Sequence, residues 1–232
     1  EFVQPTGWSS VDTAEEILQK LKLAGINLSD DSSCCVATGY GRISVPYADK
    51  AVTEITCHAL GAVHLFHQPD LTVIDIGGQD TKIIQIEQGF VKDFIMNDKC
   101  AAGTGRFLEV MANTLSLRPN EMFELARLGS DTTISSMCTV FAESEVIGLI
   151  GKGEPKENIA YAVVDSTIRK VAAQVSRMNG EMSTFCLTGG LCECEYIREA
   201  LSKELGKEVI SCPDARYAGA IGAALSAMKI RK

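Results

Sequence analysis

Glycines and carboxylates meet at the end of one apolar run, in the sequence DIGGQD that begins at Asp75. Gly77 and Gly78 would allow backbone N–H groups to approach an oxyanion closely. Asp75 can hold Mg²⁺ through water, and Gln79 or Asp80 can orient a water molecule that attacks a terminal phosphate. The alternative is a β-hairpin turn with a polar tip. Because Gln79 and Asp80 follow a predicted buried strand, the pattern favours a phosphate-binding turn.

The nine cysteines are the second chemical feature, and their number is high for a cytoplasmic chain. Their count is odd, their spacing is irregular, and no zinc-type CxxC pair occurs. Several, such as Cys186, lie in apolar runs and are predicted to be small buried residues. Cys192 and Cys194 could form a metal site, although two thiols at a helix start are more often incidental. The pattern favours a reducing compartment with one or two functional thiols over a disulfide scaffold.

Two further glycine sites lie near the C-terminus. The TGG turn, which contains Gly189 and Gly190, ends a predicted strand and begins a predicted helix. Ligands commonly bind at such a strand end. The run GAIGAA at 219–224 makes a helix face thin enough for a flat ring or another helix to approach. Neither site is specific by itself, and the sequence contains no Walker A loop and no GxGxxG fingerprint.

The elements that must position these residues alternate between strand and helix. Leu71–Ile76 is predicted as a buried strand, with Lys82–Ile86 and Phe90–Ile95 following as antiparallel neighbours. Thr13-x-x-Glu16 is interpreted as a capping box for the first helix. Helices are predicted at 13–24, from Ala48 onward, and at 107–115, 119–128, 139–150, 155–178, 191–205 and 216–228, with strands at 34–37, 184–187 and 208–211. This alternation predicts an α/β fold with helices packed on a sheet.

Composition excludes several classes of protein. The 232-residue chain has a net charge of −8 and scattered basic residues, which argues against nonspecific binding to nucleic acid. No apolar run is long enough to span a bilayer, and no signal segment is recognisable. We therefore expect a cytoplasmic globular protein without nucleic-acid or membrane partners.

Longer motifs surround two of the cysteines. NDKCAAGTGRFLEVMA (Asn97–Ala112) and SSMCTVFAESEVI (Ser135–Ile147) resemble the two hallmark motifs of the activator ATPases of 2-hydroxyacyl-CoA dehydratases. Benzoyl-CoA reductase ATPase subunits are close relatives of these activators. ATGYGR (Ala37–Arg42), ADK (Ala48–Lys50) and EITCHALGA (Glu54–Ala62) are similar to the same family. The resemblance covers essentially the whole chain. It implies an actin/Hsp70-like (ribonuclease H-like) ATPase fold with two similar lobes.

The resemblance assigns roles to the cysteines. In that family, two thiolates from each subunit hold one 4Fe–4S cluster on the two-fold axis of a homodimer. Carried over by motif, the ligands here are Cys100 and Cys138, and the alternative is two inert core cysteines. Each is predicted to lie directly before a helix, whose partial positive charge faces the thiolates and the cluster. The GTG segment at 103–105 is then a connector between Cys100 and the next helix, rather than a second phosphate loop.

The resemblance also implies a substrate and partners. ATP binding and hydrolysis to ADP, with Mg²⁺, would change the angle between the cluster-bearing helices and drive a low-potential electron into a dehydratase. Ferredoxin or flavodoxin is the expected electron donor. Gly189 and Gly190 would contact the adenosine. Arg216 would lie near the base, at a position where relatives often carry Gln.

One departure from the family concerns its first phosphate turn. The family begins with a strand and a DIGS-type phosphate turn, whereas Val3–Trp8 resembles the segment after that first hairpin. We therefore expect an N-terminally truncated first lobe at residues 1–75, a second lobe at residues 76–232, and weak ATP hydrolysis by this chain. The alternatives are a small-molecule kinase of the same superfamily and an inactive iron–sulfur or nucleotide-binding scaffold. A kinase would leave the two cysteine motifs unexplained.

Overall fold

The computed structural model describes residues 2–28, 30, 33–135, 138–179 and 184–230, and helices and strands alternate along them. The helices are α1 (Ser10–Leu23), α2 (Glu54–Phe66), α3 (Gly105–Thr114), α4 (Pro119–Ala126), α5 (Thr139–Gly151), α6 (Lys156–Val175), α7 (Glu195–Leu205) and α8 (Ala218–Ile230). The strands are β1 (Val36–Ala37), β2 (Lys50–Ala51), β3 (Leu71–Ile76), β4 (Thr81–Glu87), β5 (Phe90–Asn97), β6 (Thr184–Gly189) and β7 (Val209–Ile210). Within these ranges, no helix has the length and hydrophobicity needed to cross a membrane.

A five-stranded mixed sheet forms the centre of the fold, in the strand order β5-β4-β3-β6-β7. Strands β3, β4 and β5 are antiparallel neighbours, whereas β6 and β7 run parallel to β3. Strands β1 and β2 form a separate parallel pair. The predicted α/β fold is confirmed, including the three consecutive strands that start at Leu71. The division into lobes between residues 75 and 76 stays a prediction, and it falls within β3.

Helices cover both faces of the central sheet, which explains why its inner strands are continuous apolar runs. Ile74 and Ile83 point into the main core with residues of α3 and α6. Val73 and Ile84 point to the other face, where α2 packs. Because alternate residues of a strand share a face, Asp75 of β3 lies on the α2 side. The sheet therefore directs the first carboxylate of DIGGQD towards the N-terminal part of the chain.

Helices α2 and α8 cross at glycine contacts. A Cβ added at Gly61 would lie 1.9 Å from the carbonyl oxygen of Ala218, and one at Gly222 would lie 1.7 Å from that of Cys57. A side chain at either position would force the two backbones apart. Of the two uses considered for the GAIGAA run, the structure shows close approach of another helix.

We expect Gly61→Ala to destabilise the fold by about 2–3 kcal/mol, because the added methyl group overlaps the backbone of α8. For a chain of this size, that loss lowers the melting temperature by about 4–12 °C. Gly148→Ala in α5 is the matched control, since nothing lies within 4 Å of its added Cβ. That control should gain about 0.5–1 kcal/mol from helix propensity. Thermal unfolding followed by circular dichroism measures both, and equal melting temperatures would contradict the packing argument.

Three predicted helix starts differ from the structure by three residues or more. Helix α1 uses Ser9 as its N-cap, so the capping box interpreted at Thr13 and Glu16 is wrong. Helix α2 begins at Glu54 rather than near Ala48, because the intervening residues include β2, which pairs with β1. Helix α7 begins after the turn that follows β6, four residues later than predicted. In the last two cases, residues whose hydrophobic pattern is compatible with a helix belong instead to a strand or a turn.

Candidate functional site

The turn between β3 and β4 folds back on its own side chains. The Gly77 N–H donates a hydrogen bond to the Asp80 carbonyl at 2.9 Å. A Cβ on Gly77 would lie 2.7 Å from Oδ1 of Asp80, so glycine at this position lets the aspartate turn inward. Gly78 and Gln79 are exposed at the tip. They are the part of the turn that a ligand can reach.

A buried ammonium group joins the carboxylates beneath this turn. Lys82 is only 3% exposed, and its Nζ lies 2.6 Å from Oδ1 of Asp80 and 3.3 Å from Oδ2 of Asp75. The same Nζ is 3.7 Å from Oε2 of Glu54 in α2. The three predicted catalytic residues therefore differ in their environment. Gln79 is exposed, whereas both aspartates are buried beside a cation. Sequence reasoning missed Lys82, although its position in a buried strand directly after DIGGQD was a signal.

The charges in this cluster stabilise one another. Burial by itself would raise the pKa of Asp75, but the nearby His58 and Lys82 and a hydrogen bond from Thr188 lower it below its ordinary value. Thr188 donates that bond at 2.7 Å, and it thereby joins the TGG turn to DIGGQD. Burial would lower the pKa of Lys82, but Asp75 and Asp80 raise it above its ordinary value. Asp75 and Lys82 are therefore both charged at neutral pH.

Side chains from the N-terminal part of the chain reach the same cluster. The Tyr40 hydroxyl donates to Oδ2 of Asp80 at 3.0 Å. Partial burial of the hydroxyl, together with this bond, raises the pKa of Tyr40 to about 12. His58 in α2 places Nδ1 3.4 Å from Oδ1 of Asp75. The segments ATGYGR and EITCHALGA, to which no chemistry was assigned from sequence, thus contribute polar groups beneath the turn.

The GTG segment attaches α3 to the tip of the turn. The N–H groups of Gly105 and Arg106 donate to the carbonyl oxygens of Gly77 and Gly78, each at 2.9 Å. These first N–H groups of α3 are therefore used within the protein. The arrangement agrees with the interpretation of GTG as a connector, and it shows that the connection from Cys100 leads to the DIGGQD turn as well as to the helix.

The two predicted ligand cysteines are both exposed. Cys138 is the N-cap of α5, directly before that helix as predicted. Cys100 is separated from α3 by the turn 101–104, so the prediction that it directly precedes a helix is wrong. Asn97 holds this turn, because its Nδ2 donates to the carbonyls of Cys100 and Ala102 at 2.9 Å each. Helix α3 packs against α5, so the two cysteines precede the two members of one packed helix pair.

The two exposed thiols can be compared with the ligands that an iron–sulfur cluster requires. Among the described residues, no three His, Cys, Asp or Glu side chains gather closely enough to hold a metal ion. Cys192 and Cys194, considered above as a metal site, therefore belong to no such group there. Cys100 and Cys138 offer exposed thiol sulfurs, which are the donors that iron–sulfur clusters use. They fit such a group if another chain supplies further ligands.

The TGG turn forms part of a cavity of about 560 Å³ that Gly190 and Arg216 line. Nη1 of Arg216 lies 3.6 Å from Oε1 of Glu193. Gly189 has a φ of +84°, and a Cβ there would lie 2.5 Å from the carbonyl oxygen of Ile76. Of the predicted adenosine residues, Gly190 and Arg216 therefore meet at the cavity, whereas Gly189 holds the turn against β3.

A second cavity, of about 390 Å³, lies between the DIGGQD turn and α3 and is lined by Gly78 and Gln79. Phe123 and Leu191 line both cavities. The two cavities are therefore neighbours, here together named the cleft, and each has a volume typical of ligand pockets, about 300–1,000 Å³. The predicted phosphate and adenosine residues lie at the two ends of this cleft.

A mixed sheet of this order, with glycine turns at the ends of β3 and β6, agrees with the α/β fold of the actin/Hsp70-like class that the resemblance implied. Comparison with known proteins gives the family. The chain belongs to the BadF/BadG/BcrA/BcrD ATPase family, whose sequence pattern matches residues 4–227. It follows that the chain is a member of an ATPase family.

Three relatives illustrate the similarity. The activator of lactoyl-CoA dehydratase from Anaerotignum propionicum is 45% identical over 98% of this chain and 87% of its own length. Component A of (R)-2-hydroxyglutaryl-CoA dehydratase from Acidaminococcus fermentans superposes with a TM-score of 0.86 at 43% identity, covering 97% of this chain and 87% of that one. The activator of 2-hydroxyisocaproyl-CoA dehydratase from Clostridium difficile, with bound ADPNP, superposes with a TM-score of 0.83 at 36% identity. The match covers 94% of this chain and 81% of that one.

Proposed function

We propose that this chain is an ATP-dependent activator that passes a low-potential electron to a 2-hydroxyacyl-CoA dehydratase or a related acyl-CoA reductase. The observation that carries the proposal is the pair of backbone hydrogen bonds from Gly105 and Arg106 to the DIGGQD turn. These bonds link the nucleotide end of the cleft to the segment that bears the exposed Cys100. Relatives that are named as activators of such dehydratases support the same assignment.

The cleft suits ATP or ADP with Mg²⁺. The phosphates would lie at Gly78 and Gln79, and the adenosine would lie towards Gly190 and Arg216. The carboxylates beneath the turn exceed the single ammonium of Lys82 in number, so the turn keeps a negative charge that favours Mg²⁺ bound through water. Gln79, which is exposed at the tip, would orient the attacking water.

Cys100 and Cys138 would provide half of the thiolates for a 4Fe–4S cluster, and a second copy of the chain would provide the other half. When bound, the cluster supplies a one-electron carrier. Asn97 fixes the turn that presents Cys100. Cys138 lies at the start of α5, where the helix dipole favours negative charge. The proposal includes ferredoxin or flavodoxin as electron donor and a cytoplasmic location.

The chain itself provides the route between nucleotide and cysteine. A movement of Gly77 and Gly78 would pull on the first residues of α3 through Gly105 and Arg106. The nucleotide can change this geometry only to the extent that it binds one arrangement more tightly than the other. The proposed device is therefore a turn whose position depends on the phosphates and which shares its hydrogen bonds with the helix following Cys100.

The test is activation of dehydratases by anaerobically purified and reduced protein. We expect dehydration of lactoyl-CoA, 2-hydroxyglutaryl-CoA or 2-hydroxyisocaproyl-CoA by the matching dehydratase to start when ATP is added. It should not start with ADP, because the switch requires the additional phosphate. The test is whether dehydration depends on ATP, and the rate of dehydration does not decide it. Activation of none of the three enzymes, or equal activation with ADP, would contradict the proposal.

A further inference from the structure

The charged groups near the DIGGQD turn differ in whether they can reach the cavity beside it. Two buried aspartates lie beneath the turn, and Lys82, which contacts both, is itself buried. None of these three residues lines the cavity, so a side-chain cation for a phosphate group at the tip must come from other residues. Among the described residues, the cations that line this cavity are Arg106 and Arg118.

Arg106 is attached to the turn through its backbone, and its side chain is weakly held. Its N–H donates to Gly78, which places the residue beside the tip. Its Nη1 lies 2.8 Å from Oε2 of Glu109, and about half of each side chain is exposed, 54% and 50%. Exposed ion pairs of this kind contribute little stability. A phosphate, which accepts two charge-assisted hydrogen bonds from a guanidinium, can therefore replace the carboxylate.

Arg118 lines the same cavity but forms its hydrogen bonds with Glu121 at the start of α4. Its guanidinium donates two hydrogen bonds to Oε1 of Glu121, at 3.1 and 2.8 Å, and its backbone N–H donates to Oε2 of the same carboxylate at 2.8 Å. These bonds close the N-terminus of α4. The Arg118 side chain is also 83% exposed. It offers a matched comparison, because it lines the same cavity and forms the same kind of pair without a backbone bond to the turn.

We infer that Arg106 binds the terminal phosphate of a nucleoside triphosphate and that Glu109 holds the guanidinium when this phosphate is absent. The inference rests on the proposed function, because it takes the DIGGQD end of the cleft as the phosphate end. Arg106 lies in the first turn of α3, six residues after Cys100. The exchange of partners thus occurs at the start of the helix that follows the proposed ligand cysteine.

The test is calorimetric titration of the full chain with ADPNP and with ADP, each with Mg²⁺. Arg106→Gln should weaken ADPNP binding by about tenfold or more and ADP binding by less than about twofold, because only the triphosphate reaches this residue. Glu109→Gln should tighten ADPNP binding by about two- to fivefold, because it removes the competing carboxylate. Arg118→Gln should leave both affinities within about twofold.

The outcomes separate the inference from the proposed function. Binding of neither nucleotide to the wild-type chain would overturn both. Normal wild-type binding with an unchanged ratio of ADP to ADPNP affinity in Arg106→Gln would overturn the inference alone. Equal weakening by Arg106→Gln and Arg118→Gln would also overturn it, because it would indicate a general effect of charge. Circular dichroism verifies that each variant, changed at an exposed position, remains folded.

Discussion

Cys100→Ala and Cys138→Ala are each expected to remove essentially all iron from anaerobically purified protein, whereas the wild type should carry about four iron and four sulfide per two chains. Each substitution removes two of the four thiolates of a site shared by a symmetric dimer, and two thiolates cannot hold the cluster. Both side chains are exposed, so the melting temperature of the cluster-free protein should change little. Iron and sulfide analysis with visible absorbance measures the loss.

Cys35→Ser provides the control for this experiment. Cys35 is half-buried, lies before β1 in the N-terminal part of the chain, and belongs to neither cysteine motif. The variant should keep its iron and its colour. Retention of iron by either Cys100→Ala or Cys138→Ala would rule out the shared site. A wild-type protein that is iron-free when purified without oxygen would have the same consequence.

Lys82→Met is expected to lower the free energy of unfolding at neutral pH by about 3–5 kcal/mol, because it leaves buried carboxylates without their cation. Lys82 is 3% exposed and lies between Asp75 and Asp80, so water cannot easily take the place of the ammonium group. Methionine has a similar length, which limits the cavity that the substitution creates. Urea-induced unfolding, followed by circular dichroism, measures the difference from the wild type.

The same variant should show a characteristic pH dependence. In the wild type, the pKa of Asp75 is lowered, so its contribution is present above its ordinary pKa and is lost as pH falls through the lower, folded value. The pKa of Lys82 is raised, so its contribution is complete below its ordinary value and is lost only at higher pH, through the folded value. Without Lys82, the pKa of Asp75 should rise. The destabilisation should therefore be largest near neutral pH and should shrink as pH falls towards about 4.

Lys92→Met is the matched control for Lys82→Met. Lys92 lies on β5 and pairs with Glu87 at 2.8 Å, but both side chains are about half exposed. Its replacement should change the free energy of unfolding by less than about 0.5 kcal/mol, independently of pH. If the two variants were equally stable, or if the loss in Lys82→Met did not depend on pH, the buried cluster would not have the role described here.

The sequence predicted the parts of this protein that depend on local pattern. The apolar run before DIGGQD and the two runs after it predicted three antiparallel strands, because a continuous apolar segment bounded by turn residues has few other solutions. Gly77 and Gly78 predicted the tight turn for the same local reason. Long motifs around Cys100 and Cys138 identified the family without any knowledge of the fold, and the comparisons confirmed that family.

Sequence reasoning failed where a particular hydrogen-bond partner, near or distant in the chain, decides where a helix begins. The turn after Cys100 replaces a helix start because Asn97 binds its carbonyls. The N-cap of α1 is Ser9, because its side chain accepts a hydrogen bond from the backbone N–H of Asp12. Helix α2 starts late because β2 pairs with β1. Each difference arises from a hydrogen-bond partner that periodicity does not reveal.

What the sequence by itself determined is the three consecutive strands that start at Leu71, the glycine turn between the first two of them, and the family, since all of these follow from neighbouring residues. Only the tertiary structure decided that Lys82 forms ion pairs with Asp75, Asp80 and Glu54. It also decided that the first N–H groups of α3 donate hydrogen bonds to the DIGGQD turn. The physical reason is that a buried charge needs partners. The register of β3 with β4 and the packing of α2 bring together residues that lie up to 28 positions apart in the chain, from Glu54 to Lys82.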